Sequence, residues 1–231
     1  MLLTYRTCPQ ETFGDPNRWF RPDWFSKTKC LKNALSNFND PDIEFIFVYD
    51  GDNSEWLDFI GGFNKPIIRF NYKENQKSLI ALYETIKDKI GGHDSFYLLE
   101  DDYLHIPNSY KVLKESLRYT GLSTIYHHPD RFTRTDDSFQ ETSIWATDTE
   151  YYRVMESTTG TFAGTKEFLD KFYDDMIKFN IYDRDFFRNC IDKGTKLACP
   201  VNTYSTHVHT HFLSKFVDWV KINSHSSSEK P

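Results

Sequence analysis

Phe96-Tyr97-Leu98-Leu99-Glu100-Asp101-Asp102 is a run of four apolar or aromatic residues that ends on three consecutive acids. Such a run, without polar alternation, reads as a strand buried on both faces of a sheet. In open α/β sheets, ligands sit outside the carboxyl ends of the strands, so the acids fall where a ligand would be held. Three adjacent carboxylates repel one another unless something cationic neutralises them. A divalent cation with oxygen ligands would do so, and would in turn hold phosphate oxygens. A solvated acidic turn is the plainer alternative, and the position directly after a buried strand favours the ligand.

Upstream of this run the pattern alternates. Asn75 to Ile90 carries Leu79, Leu82, Tyr83, Ile86 and Ile90 at helical spacing and is stopped by Gly91-Gly92. Lys65–Tyr72 reads as a strand, and Trp56–Phe63 as a short helix. Ile43–Tyr49 reads as a buried strand ending on Asp50-Gly51-Asp52, Ser26–Phe38 as a helix, and Leu2–Thr7 as the opening strand. Downstream, a helix over Ser109–Tyr119 and a strand over Ser123–His127 continue the alternation. Strands alternating with helices of this length predict an α/β fold with a parallel sheet covered on both faces. The second half is less regular. Extended pairs are expected between Thr142 and Ala163, then helices over Lys166–Phe179 and Asp185–Lys193, then a strand over Leu197–Val201. The Ser-rich, charged tail (residues 224–231) is expected to be disordered.

The 34 acidic and 28 basic residues give a net charge of -6, which lacks the basic footprint of a nucleic-acid binder. No apolar run approaches the ~20 residues of a membrane span, and Met1–Arg6 has no signal-peptide pattern. Four cysteines without a C-x-x-C pair read as reduced thiols in a cytoplasmic protein. Aromatic residues make up 17% of the chain, enough to supply sugar-stacking faces, although most such rings are expected in the core.

The element Tyr97-Leu98-Leu99-Glu100-Asp101-Asp102 resembles the D-x-D-type metal motif of GT-A glycosyltransferases in its E-D-D form. The layout of the chain from Leu2 to about Trp219 is similar to that family as well. The resemblance implies a single GT-A-like domain over residues 1–223. Its Rossmann-like, mostly parallel central sheet would be flanked by helices, with a nucleotide-binding half (1–104) and a mixed acceptor and catalytic half (105–223). It implies a nucleoside-diphosphate sugar donor, with UDP favoured, and a carbohydrate or glycoconjugate acceptor. The cofactor would be Mn²⁺ or Mg²⁺, with Asp102 as direct ligand and Glu100 and Asp101 touching ribose or metal-bound water. Thr4, Tyr5 and Arg6 would end the first strand against the base, Asp50 would recognise the nucleoside, and Asn75 would begin the helix beneath the nucleotide.

Ser157-Thr158-Thr159-Gly160-Thr161 resembles the glycine loop presented to donor and acceptor, where Gly160 lets backbone approach a ligand; a plain turn is the alternative. Asp183-Arg184-Asp185 opens a late helix where inverting relatives keep their general base, usually as an E-D pair. Asp185 is the first choice for that base and Asp183 the second, against a simple capping role. His207, His209 and His211 alternate and would share one face if extended. The family resemblance points to His207 as a further metal ligand, and a zinc site of the three histidines is the rival. His127, His128, Arg131 and Arg134 are candidates for diphosphate or an acidic acceptor. The expected reaction is metal-dependent glycosyl transfer. The alternatives are a metal-dependent phosphoesterase or nuclease, or a non-catalytic nucleotide-sugar-binding module.

Overall fold

The computed structural model describes residues 1–9, 20–129 and 143–225. Strand β1 (Leu2–Thr7) lies between β2 (Glu44–Asp50) and β4 (Ser95–Glu100), parallel to both, and β3 (Ile67–Phe70) adds parallel to β2. On the other flank β9 (Ala163–Thr165) runs antiparallel between β4 and β6 (Leu122–Ser123). Then β10 (Leu197–Pro200), β8 (Tyr151–Met155) and β7 (Ile144–Ala146) complete nine strands in the order β3-β2-β1-β4-β9-β6-β10-β8-β7. Only β8 and β9 run against the other strands, so the sheet is mostly parallel, and its mixed part is the second half, as expected. A separate antiparallel pair joins β5 (Tyr103–His105) to β11 (Ser205–His207).

The two-residue alternation of the central strands distributes the core. Leu2, Ile46, Val48, Phe96 and Leu98 face α3 (Asn75–Lys89), α5 (Lys166–Phe179) and α6 (Asp183–Asp192). Leu3, Tyr5, Phe45, Phe47, Tyr97 and Leu99 face α1 (Lys27–Asn37), α2 (Ser54–Gly61) and α4 (Ser109–Thr120). A last helix, α7 (Trp219–His225), packs near β5 and α1. Caps set several boundaries. Ser26, Asn53 and Thr165 accept backbone N–H bonds at the starts of α1, α2 and α5, and Gly121, at φ 70°, closes α4.

Three expectations are corrected here. The strand expected over 123–127 ends at Ser123, because the chain leaves β10 and bridges to Ser205 at Tyr126. The late helix begins at Asp183, two residues before the expected start. The histidine segment is extended only to His207. His209 then accepts backbone bonds from Phe212 and Leu213, which turns the chain.

Candidate functional site

The carboxyl ends of β1 and β4 meet in register, Arg6 opposite Glu100. The Arg6 guanidinium donates to Glu100 Oε1 at 3.0 Å, to Ser78 Oγ at 3.3 Å and to Asn75 Oδ1. Residues far apart along the first half of the chain are thereby joined over the start of α3. Asp101 turns inward: its Oδ2 accepts from Thr7 Oγ1 at 2.8 Å and the Cys8 amide at 3.2 Å, and pairs with Lys27 Nζ at 2.9 Å. Burial works to lower the pKa of the Lys27 ammonium, but the Asp101 carboxylate more than reverses this and raises it. Asp102 Oδ2 receives Arg21 Nη2 at 2.7 Å and faces His207 Nε2 at 2.9 Å.

Each acid of the E-D-D element therefore has its own cationic partner within the chain. The cationic neutralisation expected of this strand end is supplied within the chain by Arg6, Lys27 and Arg21. Arg21 and Lys27 lie in or at the end of the long connection after β1, and sequence reasoning misses their roles. The sequence shows cations in the segment after β1, the sheet neighbour of β4, but not which of them turns back to the acids.

His207 is positioned by the β5–β11 pairing, which sets it opposite Tyr103, the residue after Asp102. Its ring stacks on Tyr103 at 5.1 Å and 5°, and the Val208 amide donates to the Asp102 carbonyl at 2.8 Å. Burial works to lower the imidazole pKa, yet the Asp102 carboxylate raises it above the usual histidine value. Burial would raise the Asp102 carboxyl, but His207 and Arg21 hold it far below the usual range. Asp102 Oδ1 and His207 Nδ1 are buried without hydrogen-bond partners. An orphaned oxygen on a carboxylate whose other oxygen faces an imidazole fits a divalent cation. No group of three or more His, Cys, Asp or Glu side chains among the described residues is arranged to hold a metal. A cation here would thus take further ligands from substrate or water. Neighbouring rings of His207, His209 and His211 lie 5.9 and 5.7 Å apart, but the three are not arranged to hold an ion as the zinc alternative requires.

The Ser157–Thr161 turn is pinned by its hydroxyls. Thr158 bonds Thr124 at 3.1 Å, Thr159 bonds Tyr103, and Thr161 accepts from the Glu100 amide at 3.3 Å. This brings Gly160 against Glu100, where a Cβ would stand 3.4 Å from Oε2. The Gly160 N–H donates to Asp183, whose carboxyl is pushed up to about 7 by burial and then by the Glu100 charge, against the opposing pull of Arg6. Asp185, two residues on and about 200° round the helix, is exposed.

Other expected positions are placed differently. Thr4 and Tyr5 are fully buried inside β1, because the sheet's edge is reached only at Arg6. Asp50 accepts the backbone N–H groups of Tyr72 (2.7 Å) and Lys73 (3.2 Å), fixing the turn after β3. His127 is buried, taking Arg153 at Nδ1 (2.8 Å) and bonding the Pro200 carbonyl through Nε2, while His128 packs on Phe212. Arg131 and Arg134, like the tail beyond residue 225, lie outside the described residues.

No family profile and no curated protein matches this sequence. Solved structures do match in fold. A nucleotidyl transferase from Methanothermobacter aligns with TM-score 0.55 at 12% identity, over 98% of this chain and 97% of its own. The 4-diphosphocytidyl-2C-methyl-D-erythritol synthase of Anaerococcus prevotii aligns with TM-score 0.54 at 11%, over 98% and 95%. A candidate nucleotide-diphospho-sugar transferase from Desulfovibrio desulfuricans aligns with TM-score 0.52 at 8%, over 87% and 82%. The chain has the fold shared by nucleotidyltransferases and nucleotide-sugar transferases.

Proposed function

We propose that this protein is a glycosyltransferase that moves a sugar from a nucleoside-diphosphate sugar to an acceptor hydroxyl at the carboxyl edge of β1 and β4. The observation that carries this reading is Asp183. It is a half-buried carboxylate in the first turn of α6, beside Gly160 and Glu100, where burial and the Glu100 charge push it up to about 7. A general base works best when its pKa lies near the operating pH. Asp183 would take the proton of the acceptor hydroxyl as that oxygen bonds to the anomeric carbon. The bond from that carbon to the diphosphate breaks, and the departing nucleoside diphosphate keeps the electron pair. Asp183 is favoured over Asp185 because it adjoins the strand ends. Arg6 and Asn75 would support the nucleotide side of the cleft. Asp102 and His207 would hold Mn²⁺ or Mg²⁺, whose chemistry is to neutralise charge on the departing diphosphate.

The phosphoesterase alternative usually clamps two metals with several acids. Among the described residues no group of three or more His, Cys, Asp or Glu side chains is arranged to hold an ion, so nothing here favours such a clamp. A thermal-shift screen against UDP-, GDP- and dTDP-sugars, with and without Mn²⁺, would identify the donor through binding-linked stabilisation. Turnover then tests the base. Asp183→Asn should keep nucleotide affinity and lower kcat by roughly 10²–10⁴, whereas Asp185→Asn should be near wild type. Near-normal turnover in Asp183→Asn would sink the assignment, and ester cleavage without acceptor would indicate the hydrolase.

A further inference from the structure

The guanidinium of Arg21 occupies the same few ångströms that a divalent cation on Asp102 and His207 would need. Its Nη2 lies 2.7 Å from Asp102 Oδ2, and its Nη1 lies 3.4 Å from His207 Nε2. Nη1 also donates to the Val208 carbonyl at 2.6 Å, and the guanidinium sits 4.8 Å from the centre of the Phe25 ring. The group is therefore a held part of the site and not a loose surface arginine; its side chain is only 16% exposed. An arginine is charged at every accessible pH, so it cannot yield its place by losing a proton. Two cations a few ångströms apart in a poorly hydrated cleft repel strongly. A metal shared by Asp102 Oδ2 and His207 Nε2 can settle there only if Arg21 moves to another anion. The planar fork of donors that now meets a carboxylate matches phosphate oxygens equally well.

We infer that Arg21 is a built-in counter-cation: it neutralises Asp102 in the free protein, excludes a divalent cation from the Asp102–His207 pair, and passes to the donor's diphosphate on binding. This inference rests on the glycosyl-donor reading of the site. It makes metal and nucleotide binding mutually dependent, by the same factor in either direction.

The test is Mn²⁺ binding followed by the paramagnetic resonance of the free ion, with the protein alone and with UDP, GDP or dTDP added, each corrected for Mn²⁺ taken up by the nucleotide itself. The wild-type protein should bind Mn²⁺ alone weakly and about tenfold or more tightly with the nucleotide it accepts. Arg21→Gln should bind Mn²⁺ alone more tightly than wild type by a similar factor, and should lose most of the dependence on nucleotide. Arg21→Lys, which keeps the charge, should leave metal binding alone weak. The inference is overturned if folded Arg21→Gln, checked by circular dichroism, binds Mn²⁺ no better than wild type. It is equally overturned if wild type binds Mn²⁺ as well without nucleotide as with it, a measurement that needs no variant to fold. If no nucleoside diphosphate binds under any condition, the donor reading fails instead. The metal-alone comparison of Arg21→Gln with wild type still decides whether Arg21 excludes the cation.

Discussion

Asp183 and Asp185 sit two positions apart on one helix, yet only Asp183 meets the strand ends, and its altered protonation has a measurable consequence for stability. In the unfolded chain an aspartate ionises near pH ~4. In the folded protein Asp183 keeps its proton up to about 7, chiefly because of burial and Glu100. Between those values folding takes up a proton, so this group's contribution to stability falls as the pH rises, and its full cost is present above about 7. An asparagine side chain at this position would accept the same Gly160 hydrogen bond without ionising. Asp183→Asn should therefore raise Tm at a pH of about 8, with the gain shrinking toward zero as the pH approaches ~4. Melting curves across that range check this, and a pH-independent difference would contradict the burial of its charge. Catalysis should respond in the opposite sense: kcat/KM of the wild type should rise with pH along a limb of apparent pKa about 7. At this scale the sequence is informative about residue type and weak about partners. Glu100, Asp102, Arg6, Asn75 and His207 are nominated by the resemblance in layout, and the fold brings them to the ends of β1 and β4. Arg21 and Lys27 are not, since nothing in a polar connection signals which of its cations turns back toward a distant strand. Thr4 and Tyr5 mislead because a strand's last buried residues and its first exposed ones look alike in sequence.

At the level of elements, periodicity makes the helices and the strands β1, β2 and β4 readable, while β9 carries almost no signal. Ala163-Gly164-Thr165 has no β-branched or aromatic run, and it becomes a central strand only because β4 and β6 offer edges on both sides. Gly164 is what permits that insertion. A Cβ there would stand 2.7 Å from both Phe168 Cδ1 and Phe96 Cζ, closer than packed atoms tolerate. Gly164→Ala should cost about 1–3 kcal/mol through forced repacking of the two rings. Gly61, the last residue of α2, has nothing within 4 Å of its would-be Cβ. Gly61→Ala should be neutral or stabilise by up to about 1 kcal/mol, by restricting the unfolded chain. Urea midpoints at constant m-value separate the two, and equal effects would mean that the rings yield easily. The two-residue error at the start of α6 belongs to this scale too. Tyr182 caps that helix without a side-chain bond, so no Ser, Thr, Asp or Asn marks the boundary.

Across the whole molecule, the nucleotide-binding half and the acceptor half named from the sequence are not structurally separable units. β4 of the first half pairs with β9 of the second, β5 pairs with β11, and α3 packs on α5. One core cluster joins Leu2, Ile46 and Leu82 to Phe172, Phe187 and Leu197, and the other joins Leu3 and Trp56 to Leu113 and Tyr152. Even the site is shared: Arg6, Asn75 and Asp102 come from one half, and Gly160, Asp183 and His207 from the other. Such interleaving predicts a single cooperative unit. Denaturation followed by tryptophan fluorescence, which reports Trp19, Trp24 and Trp56 in the first half and Trp145 and Trp219 in the second, should coincide with the loss of far-UV dichroism. A fragment of residues 1–104 would retain β1 to β4 but lose the β9 partner of β4, the β11 partner of β5 and the α5 cover of α3. It would leave Phe96, Leu98 and the α3 face without their partners from β9, α5 and α6. That fragment should lack a cooperative melt and should bind no nucleoside diphosphate. The first half of an α/β sheet can in principle fold alone, so the outcome is not trivial. A fragment with a sharp transition, or two separated transitions in the full chain, would show the halves to be independent domains and the shared strands to add little to their stability.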